Sequence, residues 1–256
     1  MTDWQLRYGI ARSLWIYYRS PLRRRRMDRL YRRFVRPGEL VFDIGSHVGD
    51  RIASFRRLGC RIVAVEPQPP LAALLQRMYG RSAAVTIEPV AVAVVPGAVE
   101  LFVNSSNPTL TTASPDFVAA AARSPRWRRE SWERRVRVPA VTLDQLIDRH
   151  GEPSFMKLDV EGFEAEALRG LKRPVRALSF EFTTLERSLA LACLDRCREL
   201  GPYNFNAALG ETQRLLLAQW VDATAMGHWL EQLPESANSG DIYACRSGPR
   251  SQATNT

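Results

Sequence analysis

From Leu40 to about Phe182, short apolar runs alternate with stretches whose apolar residues return every three to four positions. That rhythm belongs to βαβ units and implies a parallel sheet. It predicts strands over 40–44, 61–65, 85–90, 155–159 and 177–182, and helices over 50–58, 70–79, 141–149, 161–168 and 185–199. Residues 91–103 read differently: Pro96-Gly97 punctuates two β-rich runs and so predicts a hairpin pair. The last two strands are expected over 203–208 and 241–245, with loops over 206–211 and 234–240. Residues 104–139 break the rhythm, with turn residues from Asn104 to Pro108, hydroxyl-rich chain over 109–114, and a basic stretch over 123–137 that carries Trp127 and Trp132. An insertion at the carboxyl-end side of such a sheet is where substrate specificity sits.

A chain of 256 residues, 45% hydrophobic and 25% charged, is long enough for one full α/β core. One catalytic domain is expected over 37–248, followed by a polar, disordered tail over 249–256. No run of about 18 uncharged apolar residues occurs, and the first 30 residues lack the apolar centre and cleavage site of a secretory signal. The expected location is the cytoplasm. Cys60, Cys193, Cys197 and Cys245 show neither zinc nor redox spacing and read as buried or incidental thiols. Residues 1–36 hold eleven arginines against Asp3 and Asp28, which accounts for the whole net charge of +9. They read as an appended basic arm, with Trp4, Leu6, Trp15, Ile16, Tyr17 and Tyr18 interleaved. Two readings stand open: an interfacial helix on acidic lipid at the inner membrane face, or a helix that packs its aromatics on the domain and leaves its arginines solvated.

The strongest local signal is the strand ending in Asp43 and followed by Gly45, Ser46, His47, Val48 and Gly49, a glycine-spaced turn that opens a helix. Glycine lets the backbone approach a ligand, and a helix start points N–H groups at it. Glu66 closes the next strand, just before Pro67, where an acid accepts hydrogen bonds from both ribose hydroxyls of a nucleoside. A dinucleotide pyrophosphate favours G-x-G-x-x-G, whereas Gly45 and Gly49 are four apart and Asp43 would repel phosphate. The same acid suits the ammonium and sulfonium of S-adenosylmethionine. The bland alternative is that Asp43 caps the turn and Glu66 is a solvated strand end.

These stretches, together with Val141-Thr142-Leu143-Asp144-Gln145-Leu146 and the block from Met156 through Lys157, Asp159, Glu161 and Gly162 to Gly170, resemble the FkbM family of methyltransferases. The likeness runs from about Leu40 to Phe182, with a weaker match over 240–244. It departs at Ser46-His47, where the family usually has Ala-Asn, and over 104–139. The resemblance implies a Rossmann-like methyltransferase fold of class α/β, with a mostly parallel seven-stranded sheet and helices on both faces. It also implies S-adenosylmethionine as cofactor, bound by Asp43, Gly45, Ser46, Gly49, Glu66 and Pro67. An adenine pocket would lie near Pro89, Val90 and Ala91. The activity implied is O-methylation of a hydroxyl on a sugar, glycan, lipid-linked sugar or polyketide-like small molecule.

At the reacting end, strand alternation puts Lys157, Asp159 and Glu161 on one side if the strand persists, with Asp159 nearest the carboxyl end. Asp159 is the candidate general base, with His47 a second one. The reading needs no metal; were a divalent cation present, Asp159 and Glu181 would hold it. Asp159 and Glu161 as helix caps, neutralised by Lys157, form the structural alternative. Two other functions compete: an RNA-binding module on the same scaffold, although no RNA-binding motif accompanies the arginines, and a nicotinamide-dependent oxidoreductase.

Overall fold

The structure, a computed structural model, describes residues 3–127 and 129–246; the tail over 249–256 lies outside them. The first half of the chain runs α1 (Asp3–Tyr18), α2 (Pro21–Tyr31), β1 (Leu40–Ile44), α3 (Asp50–Arg57), β2 (Arg61–Val65), α4 (Pro69–Tyr79), β3 (Val85–Glu88), β4 (Ala91–Val92), β5 (Gly97–Val103) and α5 (Pro115–Arg123). The second half follows as β6 (Arg134–Val141), α6 (Leu143–His150), β7 (Phe155–Leu158), α7 (Glu164–Arg169), β8 (Ala177–Thr183), α8 (Arg187–Leu200), β9 (Asn204–Leu209), α9 (Ala223–Gln232) and β10 (Ser239–Cys245).

Seven strands form one sheet in the order β3-β2-β1-β7-β8-β10-β9, in which only β10 runs against its neighbours. This is the mostly parallel, seven-stranded Rossmann-like sheet that the family resemblance implies. The strand order reverses between β1 and β7, so a crevice opens at their carboxyl ends, where ligands bind in such sheets. Alternation along each strand sorts the core into two layers. Phe42, Ile44, Met156, Leu158, Leu178 and Phe180 face α6, α7, α8 and α9, while Val41, Ile62, Phe155, Ala177 and Tyr243 face α2, α3 and α4.

The second layer changes the picture of the basic segment. Met27, Leu30, Tyr31, Phe34 and Val35 are buried among the strands. Phe34 stacks on Phe155 and Tyr243, with centroids 5.0 and 5.4 Å apart. A boundary at Pro37 therefore cuts through packed core. Only the outer side of α1 and the outward arginines of α2 lie outside it.

Four local expectations are corrected. β4 and β5 do not pair as a hairpin: β6 lies between them, parallel to β4 and antiparallel to β5, in a separate three-stranded sheet. The period-two signal of Val136, Val138 and Ala140 is masked by Arg135 and Arg137 on the outer side, where Arg135 pairs with Glu100 at 2.8 Å. The helix expected from 141 starts at Leu143, because Thr142 and Gln145 form a reciprocal capping box. The helix expected from 161 starts at Glu164, whose carboxylate accepts from the N–H groups of Val160 (2.7 Å) and Gly162 (3.0 Å). The loop expected from 206 is strand as far as Leu209.

Candidate active site

The turn after β1 is fixed from several directions. Gly45 has φ +83°, and a side chain there would overlap the carbonyl of Asp159 after β7. Its N–H and that of Ser46 both donate to the Val65 carbonyl, at 2.9 and 3.0 Å, which ties the turn to the end of β2. The His47 N–H (φ +48°) donates to Glu66 Oε2 at 2.8 Å, and the Gln68 N–H donates to Glu66 Oε1 at 2.9 Å. Glu66 is thus pinned by one backbone donor on each oxygen, with further lone pairs left for a ligand. Burial pushes its carboxyl up to about 8, against those two hydrogen bonds.

Around Glu66 lies a cleft. Its walls are apolar at Val65, Val90, Val92 and Leu101, and Pro108, Thr109 and Thr111 of the 104–139 segment cover it. Gly45, His47, Pro67 and Ala91 also line it. Gly49 does not: its φ is +80°, and a side chain there would meet Leu75 and Tyr79 of α4 at 2.8 Å, so this glycine serves helix packing. Asp43 also lines neither this cleft nor its neighbour. It lies beneath the turn with Oδ2 buried and unpartnered, its carboxyl raised to about 7 by burial and partly offset by Arg51.

His47, Thr109, Asp159, Glu161 and Gly45 are shared with a second, polar cavity, which adds Tyr17, Ser46, Asp50, Arg51, Glu181 and Glu211. Arg51 and Arg23 form a clamp there. Arg23 bonds Asp50 at 2.8 Å and Glu211 at 2.7 Å, and Arg51 bonds the same two acids at 2.9 and 3.1 Å. Burial pushes Glu211 up, but Arg51 and Arg23 outweigh it and hold the group at about 2. The Tyr17 ring meets the His47 ring edge-on at 5.7 Å, and burial raises its hydroxyl far above the usual range.

Lys157, Asp159 and Glu161 do not share a strand face, because β7 ends at Leu158 and Glu161 turns to φ +54°. Lys157 is buried under the site, bridging Asp241 at 2.8 Å and Asp159 at 3.2 Å. It is thereby a structural cation, not a group in reach of a ligand. Burial works to lower its pKa, and the two aspartates hold it well above the ordinary value. Asp159 shows the mirror image: burial pushes it up, while Lys157 and Arg51 bring it below the usual range, so it stays ionised. For Glu161 and Glu181 the pull of the buried Lys157 is outweighed. Burial first, then the neighbouring acids, raise both well above the carboxylate range. Burial holds the His47 imidazole down to about 4, so it is neutral at pH 7. Asp159, Glu161 and Glu181 each bring one oxygen within 4.8 Å of the others and are, among the described residues, the donor set open to a divalent cation.

Sequence reasoning missed Tyr17, Arg51 and Glu211 as site residues, while Thr109 lies in the 104–139 segment expected to face the substrate. Arg51 left a trace, a cation in the first turn of a helix, where the helix dipole disfavours it. Glu211, in the chain after β9, left none.

The sheet order and two joined cavities at its switch point define a Rossmann-like methyltransferase. Residues 43–199 match the methyltransferase FkbM domain, and the chain belongs to that family. The methyl donor of the class is S-adenosylmethionine. The chain is similar in structure to a TehB-like SAM-dependent methyltransferase from Corynebacterium glutamicum (10% identity, 92% of this chain and 93% of that one, TM-score 0.47). It is also similar to precorrin-6y C5,15-methyltransferase from Geobacter metallireducens (12%, 88% and 87%, 0.46). A third likeness is to an O-methyltransferase from Bacillus cereus in complex with SAH (12%, 96% and 92%, 0.43). Among curated proteins none matches the chain. The family assignment replaces the oxidoreductase alternative.

Proposed function

We propose that the chain transfers a methyl group from S-adenosylmethionine to a hydroxyl oxygen of a sugar-like or polyketide-like small molecule. The observation that carries this reading is the junction of the two cavities at His47 and Asp159, one cavity mostly apolar with Glu66 pinned in its wall and the other densely polar. The first fits an adenosyl group: Glu66 offers acceptor lone pairs to ribose hydroxyls, while Val65, Val90, Ala91 and Leu101 surround a flat apolar ring. Asp43 acts from below the turn by charge alone. The second cavity offers carboxylates, Tyr17 and Arg51 to the several hydroxyls of a polyol.

S-adenosylmethionine supplies an electrophilic methyl group on sulfur. The chain's own part is to orient the acceptor and take up its proton. Asp159, ionised, accepts the hydrogen bond of the reacting hydroxyl and fixes its direction. Neutral His47, whose Nε2 lies 3.5 Å from the Thr109 hydroxyl, is the second polar group at the junction. Both groups sit low in pKa and are weak bases, so orientation carries the larger share of the acceleration.

Calorimetry with S-adenosylmethionine and S-adenosylhomocysteine tests the reading. Both ligands are expected to bind, and Glu66→Ala to weaken binding about 10- to 100-fold, the range for losing a charged hydrogen-bond acceptor. Absence of heat with either ligand would overturn it.

A further inference from the structure

Among the described residues, five of the eight exposed large apolar side chains fall between Trp4 and Leu22. They are concentrated on α1, whose two sides differ completely. Leu6, Gly9 and Ser13 face inward and are buried, and Tyr18 ties the helix end down by donating to the Val48 carbonyl at 3.1 Å and meeting the Tyr79 hydroxyl at 2.8 Å. The outward side carries Trp4, Tyr8 and Trp15, each more than 60% exposed. At 100° per residue these three rings fall within about 40° of arc. Arg7 flanks the stripe on one edge, with Arg12 and Arg19 on the other, and the Arg19 guanidinium lies over the Trp15 ring at 4.1 Å. No exposed position from Trp4 to Arg26 is acidic, and the exposed Arg24, Arg25 and Arg26 of α2 extend the same charge.

We infer that the outer face of α1 is a docking surface for an anionic lipid bilayer, on which the helix lies flat with its aromatic stripe in the headgroup region. A central apolar stripe with cations along both edges buries its middle while each guanidinium reaches a lipid phosphate. Aromatic rings with a polar tip or N–H are the side chains that settle at that depth. A single nucleic acid strand also stacks its bases on aromatic rings, but within a cationic groove that tracks its backbone, whereas these rings stand on the convex outer side of one helix. The face is also firmly mounted, since the opposite side of α1 is buried on the catalytic domain. Docked in this way, the protein holds Tyr17, and with it the second cavity, about one helix diameter, ~10 Å, beneath the lipid surface.

The inference stands independently of the methyl-transfer reading and is tested by co-sedimentation of the full chain with vesicles. The intact protein is expected to partition onto mixed phosphatidylcholine–phosphatidylglycerol vesicles at least about tenfold more than onto phosphatidylcholine alone. The double variant Trp4→Ser/Trp15→Ser is expected to lose at least about tenfold of that partitioning, with its melting temperature and its calorimetric response to S-adenosylmethionine unchanged. Equal partitioning of the intact protein onto both vesicle types would overturn the proposal, as would a double variant that binds like the intact chain. So would displacement from vesicles by single-stranded RNA at lower concentration than the lipid, or a vesicle-free dimer that the double variant abolishes.

Discussion

At the scale of single residues, Glu66 carries the most consequential chemistry. It is 2% exposed, its oxygens are fixed by the His47 and Gln68 N–H groups, and burial holds its carboxyl near 8. Without cofactor it is therefore mostly protonated at pH 7. A ligand bearing positive charge and donating hydroxyls favours the ionised form and draws the pKa down, so binding releases a proton. Calorimetry at pH 7 in buffers of different ionisation enthalpy is expected to report release of about one proton per cofactor, and Glu66→Gln to remove most of it, Asp43 supplying the remainder. Heats that do not depend on the buffer would contradict this ionisation. Glu66, Gly45 and Asp159 were legible in the sequence because each closes or follows its own strand, so position along the chain fixes position in the crevice. Gly49 and Lys157 were misread for a related reason: they belong to the same motifs, but their side of the turn or strand faces α4 or the buried Asp241. Tyr17 and Glu211 reach the site only through tertiary packing, and no local pattern announces them.

At the scale of elements, α2 shows how a charge count misleads. Its outward arginines make residues 1–36 look appended, yet the segment contributes Met27, Leu30, Tyr31 and Phe34 to the layer beneath the sheet. Phe34→Ala is expected to destabilise the whole domain by about 3–5 kcal/mol, the range for a buried phenylalanine, read as a lower urea midpoint with an unchanged slope. A variant with the stability of the parent would return α2 to the status of an arm. β6 hid for the converse reason. Its arginines alternate with Val136, Val138 and Ala140, and a strand with one polar side reads as loop when the polar residues are long and charged. The sheet strands β1, β2 and β8, buried on both faces, left mostly apolar runs and were read almost to the residue.

At the scale of the whole molecule, the buried ionisable groups set how stability responds to pH. Glu66 near 8 and Asp43 and Glu164 near 7 are raised, so each contributes stability that is complete below the unfolded carboxyl range and is lost as pH rises through those values. Glu161 and Glu181 act in the same direction. His47, lowered to about 4, opposes them only between there and its unfolded value, where the unfolded chain binds the extra proton and stability rises with pH. More acids are raised than histidines lowered, so thermal scans of the cofactor-free chain are expected to give a melting temperature that falls from about pH 5 to about pH 8. A rising trend over that interval would show that these acids ionise without cost.

The paired guanidinium groups of Arg23 and Arg51, sharing Asp50 and Glu211, join three stretches of sequence that lie far apart along the chain. A chimera that imports only one of these stretches from a sister enzyme would strand a charged side chain with half its counter-ions gone. Any effort to redirect the enzyme toward a different acceptor must therefore exchange the start of the chain, the turn after β1 and the segment beyond β9 together.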